Sequence, residues 1–452
     1  MSELAMVLGL VLGIVCVSLA TLHSWKAGRL TLLDWAVLGM GGVYGFGWVI
    51  VCGVTTGGGN PTWENWLLPF EALYPVHTAC VVILAAGLWL GWLLGRHATP
   101  RRASRAPTQR LLIDRRLETA AWLLLCIATS MHWLYTRAYG GLLGLLDYSA
   151  AIRSAVFTVE NRWSFLQPFG GLAFFSSFVF WGLWLARRRS LGVVVGLAGS
   201  LVVSIYILYS RLGRIQFLVF VMTFLLATIL VRRPRPLPLL MAGGLLMLTI
   251  LFGAYYISVL LALKAADSMP EFLARELAFP FGSFFAQLHA DEHLWRGFRD
   301  FLYAPLYLLP SSWWSIWHEE LSQVNTALIM GAPKGEQGVT GGIPVDLLTL
   351  GLMQANVYGI MVVGVLFGSM LRVLQWWLDS IPNLGVGAAF GAYVALKVAV
   401  LGAFYAQPAL VVSGNFDLLV SAIVVAVLTR LPALRLAPLR TVAHVAGPEP
   451  QS

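Results

Sequence analysis

Residues 4–22 read LAMVLGLVLGIVCVSLATL, an unbroken apolar run without a single charge. An uncharged apolar stretch of roughly 18 or more residues is long enough to cross a bilayer as a helix. No basic segment precedes it and no small-residue cleavage site follows, so it reads as a retained helix and not as a signal peptide. Similar runs recur to the far end of the chain, and spans are expected at about 3–23, 32–54, 76–95, 118–138, 168–186, 190–209, 215–231, 237–263, 354–378, 384–406 and 410–430. Of the 452 residues, 58% are hydrophobic and only 11% are charged. Soluble domains carry about 25% charged residues. Lipid must therefore solvate much of this surface, and residues 1–452 read as one all-α polytopic membrane domain of about eleven helices.

A net charge of +9 could suggest a nucleic-acid partner, but the placement of the charges argues against one. Basic residues fall in short clusters between apolar runs: Lys26 and Arg29, seven arginines from Arg96 to Arg116, Arg187–Arg189, then Arg232, Arg233 and Arg235. Arg372 and the group Arg430, Arg435 and Arg440 complete the series. With the spans above, every cluster falls on one side, which the positive-inside rule makes the cytoplasm. That side holds 19 basic and 5 acidic residues, the other 10 basic and 16 acidic, with Lys397 left inside a span. The N-terminus is then outside and the C-terminus inside, with 431–452 a flexible cytoplasmic tail. The four cysteines, Cys16, Cys52, Cys80 and Cys126, sit in or beside apolar runs and read as buried free thiols. Cys52 and Cys80 form the one pair placed to bridge.

Three outside segments exceed a minimal turn: 55–75, 139–167 and 264–352. The last carries an apolar stripe (Phe272, Leu273, Leu277, Phe281, Phe284, Phe285, Leu288) broken at Pro280, and a second stripe from Trp295 to Tyr307. With Trp313, Trp314 and Trp317 beyond, it is expected to lie on the outer leaflet as short amphipathic helices. No internal repeat is visible, which weighs against inverted-repeat transporters.

The sharpest chemical signal is Ser210-Arg211-Leu212-Gly213-Arg214, with Gln216 just beyond. This tight outside turn carries two arginines where the positive-inside rule disfavours them. A guanidinium offers a planar fork matched to phosphate oxygens, so two at the mouth of a bundle suit a pyrophosphate. Their plainer use is snorkelling to lipid headgroups. Arg153 and Arg162 in the preceding outside segment are placed to converge on the same anion. Lys397, in the tenth span, costs about 2.5–3.5 kcal/mol to insert, so it should face the interior and meet a partner, Asp346 or Asp417. A structural pair and a substrate contact fit it equally. Gly341-Gly342-Ile343-Pro344-Val345-Asp346 reads as a break before a helix that re-enters the membrane. Gln354, Asn356 and Tyr358 follow, suited to sugar hydroxyls or to helix–helix hydrogen bonds. Candidate bases are His318, Glu319, Glu320, Asp147, Glu160 and His289, each equally at home on a solvated loop. No metal-ligand spacing, P-loop, dinucleotide fingerprint or nucleophile elbow is present in the sequence.

Three of these features together resemble the bacterial O-antigen polymerases, the Wzy-type oligosaccharide repeat-unit polymerases. They are the 210–214 turn running into an apolar span, the loop Tyr148-Ser149-Ala150-Ala151-Ile152-Arg153 before Asn161-Arg162, and the long outside loop ending at Gln354-Ala355-Asn356-Val357-Tyr358-Gly359. The resemblance covers nearly the whole chain and rests on layout as much as on identity. Leu212 stands where the family has a plain Arg-Gly, so Arg211 and Arg214 compete for the family's arginine. The resemblance implies a GT-C-like polymerase/ligase fold in the bacterial inner membrane, active on its periplasmic face. It implies polymerisation of polyprenyl-pyrophosphate-linked oligosaccharide units, without nucleotide or obligatory metal. A polysaccharide chain-length regulator would be a partner. Arg211, Arg214 and Arg153 would then stabilise the leaving pyrophosphate. Arg162, Gln216, Tyr148, Asn161, Gln354, Asn356, Tyr358, Asp346, Lys397 and His318 would contact substrate. An O-antigen ligase shares the donor and differs in acceptor. A lipid-linked-sugar mannosyltransferase would want more acids in the first outside loop than Glu64 and Glu71. A flippase or exporter of lipid-linked glycans would want more charges along its spans.

Overall fold

The computed structural model describes residues 2–56, 73–96, 110–154, 159–186, 188–232, 268–290, 295–309, 318–337, 339 and 341–430. Among them every regular element is helical. Eight helices are long and apolar enough to cross a membrane: Glu3–Ala27, Leu32–Thr56, Tyr74–Leu94, Ile113–Tyr139, Ser164–Leu185, Leu191–Arg211, Leu347–Ser380 and Leu384–Ala403. Two shorter apolar helices, Ile215–Val231 and Phe416–Thr429, stand where the seventh and eleventh spans are expected. The expected span at 237–263 lies outside the described residues, as do 57–72, 97–109, Trp313, Trp314, Trp317 and the tail 431–452. The outer surface is apolar. Leu4, Val7, Leu10, Val11 and Ile14 are all exposed along the first helix, α1 (Ser2–Ala27). Large aliphatic side chains line an outward face in this way when the surrounding solvent is lipid.

Ion pairs tie the basic ends of the helices together. Arg29, just after α1, makes a two-pronged contact with Asp379, with both hydrogen bonds at 2.7 Å. Arg188 pairs with Glu118 at 2.6 Å, and Asn383 donates to Asp114 at 2.8 Å. Within the bundle, helix backbones touch through glycine. On Tyr74–Leu94, a Cβ at Gly87 would stand 2.5 Å from the Met361 carbonyl oxygen. On the facing helix, one at Gly364 would stand 2.7 Å from the Leu84 carbonyl oxygen. Gly91 and Gly368 repeat the contact one turn on, so two G-x-x-x-G faces meet. Small residues at four-residue spacing permit this approach, and dispersion over the close backbones holds it in lipid.

The element Leu347–Ser380 is a hairpin rather than one straight rod. Ala355 and Asn356 leave helical geometry, Asn356 with φ 54° and ψ −145°. The chain reverses there, since a Cβ on Gly351 would lie 2.5 Å from the Ile360 Cα. Beyond the turn, residues 357–380 span about 36 Å at 1.5 Å per residue, enough to cross the hydrocarbon core. Before it, residues 347–354 form an arm of about 12 Å whose inner end is Asp346. That carboxylate accepts a 2.7 Å hydrogen bond from Tyr44, the midpoint of Leu32–Thr56. The expected Gly-Pro break before a helix is thus present at 341–346, and the span drawn from 354 starts after the turn. Leu384–Ala403 also stops at this depth, for Tyr44 donates to the Ala403 carbonyl as well, at 3.4 Å. Two breaks in helix meet at mid-depth, where non-helical backbone is tolerated beside a cavity.

Two expectations about the large outside segment need correction. Met269–His289 is one helix that continues through Pro280. Its stripe does not lie on the leaflet but is buried in the bundle. Phe281 packs 4.8 Å from Trp48 and 5.1 Å from His77, and Phe284 also sits 5.1 Å from His77. The second stripe does keep apolar side chains outside, with Trp295 and Leu302 exposed. None of the four cysteines is joined in a disulfide, Cys52 and Cys80 included, and Cys126 is exposed where burial was expected.

Candidate functional site

A cavity of about 820 Å³ opens among Ile113–Tyr139, Ser164–Leu185, Leu191–Arg211, the following helix Arg214–Val231 and the broken end of Leu384–Ala403. Its lining combines polar side chains, among them His132, Gln167, Arg211, Gln216, Lys397 and Asp417, with apolar ones, among them Phe174, Val219, Phe220, Phe367, Met370 and Leu401. Such a mixed lining fits a molecule with a charged head and a hydrocarbon portion.

The turn at 210–214 builds the cationic corner. Leu212 caps the preceding helix in the left-handed region (φ 50°, ψ 30°). A residue with a Cβ pays about 1–2 kcal/mol to stay there. The reversal carries Arg211 inward, where Nη2 donates to the Gln167 carbonyl at 2.5 Å. Its Nε is buried with no hydrogen-bond partner. Lys397 lies in a wide π-helical turn, Val394–Val400, and donates to the Gly414 carbonyl at 2.7 Å, with its ammonium 5.3 Å from the Tyr393 ring centroid. Its direct partner is therefore a backbone carbonyl, in place of the expected Asp346 or Asp417. Asp417 is buried, with Oδ1 accepting from the Leu418 N–H at 2.9 Å. Its charge acts on both Arg211 and Lys397 through space. Among the described residues, none of these three forms an ion pair with another.

The other sequence candidates are dispersed. The side chains of Arg153 and Arg214 lie outside the description, while their neighbours Ile152, Gly213 and Ile215 line the cavity. Gln216 is at the mouth. Tyr148 stands behind the wall, 5.6 Å from Tyr139. Asn161 spends its amide on backbone, donating to the Tyr135 carbonyl and accepting from the Trp163 N–H. Arg162 is exposed and lies over Trp163, 5.3 Å from the ring centroid. Asn356 is exposed in the hairpin turn, where it accepts from the Val357 N–H, and Tyr358 is 83% exposed. Asp346 is the buried cap of the hairpin arm, held by Tyr44 and the Leu348 N–H.

Gln354 and His318 belong to a second buried cluster, centred on Asp300. Arg296 grips Asp300 through two bonds of 2.7 and 2.8 Å, and Gln354 donates to it at 2.7 Å. His318 Nε2 lies 3.3 Å away. Burial holds the His318 imidazole below its usual range, opposed by Asp300 and aided by Arg296. Backbone bonds from Arg296 and Gly297 to the Met353 and Gln354 carbonyls dock this loop on the hairpin turn.

His132, Tyr135 and Gln167 were missed as site residues by sequence reasoning, and Asp417 entered only as a partner for Lys397. The available signal was an ionisable side chain at the outer end of an apolar run, which His132 and Asp417 share. No described group of three or more His, Cys, Asp or Glu residues could hold a metal ion. No protein-family model matches the chain, and neither a curated protein nor a solved structure does.

Proposed function

We propose that the protein polymerises polyprenyl-pyrophosphate-linked oligosaccharide units on the periplasmic face of a bacterial inner membrane. In this reading the chain crosses about eleven times, N-terminus outside, and the cavity opens toward the periplasm. The supporting observation is that Arg211, its Nε without a hydrogen-bond partner among the described residues, and Lys397 line the cavity together with apolar side chains. Breaking the bond between an anomeric carbon and a diphosphate builds negative charge on the departing oxygens. Fixed cations in a partly dry site stabilise that charge without reorganising. Arg211 and Lys397 hold the diphosphate, and Phe174, Val219, Phe220, Phe367 and Met370 receive the first isoprene units. Gln216 meets the sugar at the mouth. Arg153 and Arg214, on backbone that flanks the cavity, add to the same field.

The test is reconstitution of the purified chain in vesicles with a lipid-pyrophosphate-linked oligosaccharide. A ladder of longer lipid-linked glycans is expected. Transfer only after a lipid A–core acceptor is added would make the protein a ligase. Glycan crossing the bilayer without any new linkage would make it a transporter.

A further inference from the structure

Two consecutive glycines, Gly170 and Gly171, lie against charged groups that line the cavity. A Cβ at Gly170 would stand 3.3 Å from Arg211 Nη2 and 3.3 Å from His132 Nδ1. A Cβ at Gly171 would stand 2.8 Å from Asp417 Cβ and would overlap Asp417 Oδ2. The guanidinium and the carboxylate therefore rest on adjacent residues, whose Cα atoms lie about 3.8 Å apart. Unpaired buried charges cost several kcal/mol each, so a purely structural Arg and Asp this near would close on one another. These do not. Arg211 is tethered to the Gln167 carbonyl, Lys397 to the Gly414 carbonyl, and Asp417 Oδ1 to the Leu418 N–H. Asp417 Oδ2 takes no hydrogen bond from any described residue. The arrangement keeps a carboxylate oxygen and two cations facing one space without neutralising each other.

We propose that Asp417 is the general base that accepts the proton of the acceptor sugar's hydroxyl, with Gly171 as the residue that positions it. This rests on the polymerase reading above. The hydroxyl oxygen bonds to the anomeric carbon of the donor while its proton passes to Asp417 Oδ2. The bond from that carbon to the diphosphate breaks, and its electron pair leaves on the diphosphate oxygen beside Arg211 and Lys397. Asp417 loses a negative charge as the diphosphate gains one, so the cavity's balance is kept. His132 would do the opposite, adding a positive charge next to Arg211, which disfavours it as the base. The proton leaves Asp417 with the departing diphosphate or to water.

The experiment uses the full chain in vesicles with a lipid-pyrophosphate-linked oligosaccharide as donor and acceptor. Asp417→Asn is expected to lower kcat by about 100-fold or more, with KM for the donor unchanged within about threefold. Gly171→Ala, which keeps the carboxylate but displaces it, is expected to lower kcat and leave KM in place. Asp417→Asn turning over at more than about a third of the wild-type rate would overturn the assignment. Should the asparagine variant fail to insert, a full rate in Gly171→Ala would overturn it equally. A wild-type chain that elongates nothing defeats the polymerase reading itself, an outcome distinct from either of these.

Discussion

Around Asp300 each described charge has a partner. Arg296 grips the carboxylate with two bonds, Gln354 adds a third, and a carbonyl takes the remaining Arg296 contact at 2.8 Å. Around Arg211, two of the charges, Arg211 and Lys397, are half-buried and Asp417 is buried, and each leans on backbone while leaving the others unpaired among the described residues. Paired charges rigidify what they join, even though Gln354 Oε1 stays buried without a partner among the described residues. An unpaired set stores electrostatic free energy that a ligand of matching charge can recover. The Asp300 network docks a loop on the hairpin, and in the proposed function the cavity would receive an anion.

Substitutions should separate the two regions. Asp300→Ala strands Arg296 in a buried position, and the cost should be about 3–5 kcal/mol, seen as a lower unfolding midpoint in detergent. An unchanged midpoint would show that the network is not a clamp. Arg211→Ala should do the reverse, reducing polymer formation by about 100-fold while the unfolding midpoint holds or rises. Arg211→Lys should recover part of the rate, since it keeps charge and loses the fork. A midpoint that fell with full activity retained would move Arg211 into the structural class. Lys397→Met should cost about tenfold in rate, less than the roughly 100-fold or more for a donor wholly committed to the reacting charge, because the ammonium is already bonded to the Gly414 carbonyl, again without loss of stability.

The smallest effect is expected from pH. The His318 imidazole is depressed chiefly by burial, with Asp300 and Glu319 opposing and Arg296 and Arg299 assisting. A folded value below the unfolded one means that the neutral ring's contribution is complete above about pH 6.5 and is lost as pH falls through the folded value. Mild acidification should therefore lower the unfolding midpoint modestly, and His318→Gln should remove that dependence. An acid-sensitive midpoint that survives the substitution would place the titrating group elsewhere.

Much of the architecture was readable because span length and charge bias are local properties. The run at 4–22 needs no partner to be recognised, and neither does an arginine pair in an outside turn. The Phe272–Leu288 stripe shows where local reading fails. Amphipathic periodicity is the same whether the apolar side meets lipid or Trp48 and His77, and Pro280 is tolerated once both flanks are packed. The Gly87/Gly91 and Gly364/Gly368 faces were equally invisible as a pair, because each motif is meaningful only against the other.

The sequence by itself determined that the chain lives in lipid, where many of its helices run, and that Arg211 sits at a turn between two apolar helices. Tertiary structure alone decided which charges share a cavity. Asp417 and Arg211 are separated by 206 positions in the chain yet rest on neighbouring glycines, a juxtaposition set by helix packing. It decided too that Gln354 and His318 belong to the cluster around Asp300 and not to the cavity. Whether a polar group is satisfied depends on what lies within about 3 Å of it, and that distance is fixed by the fold rather than by neighbours in sequence.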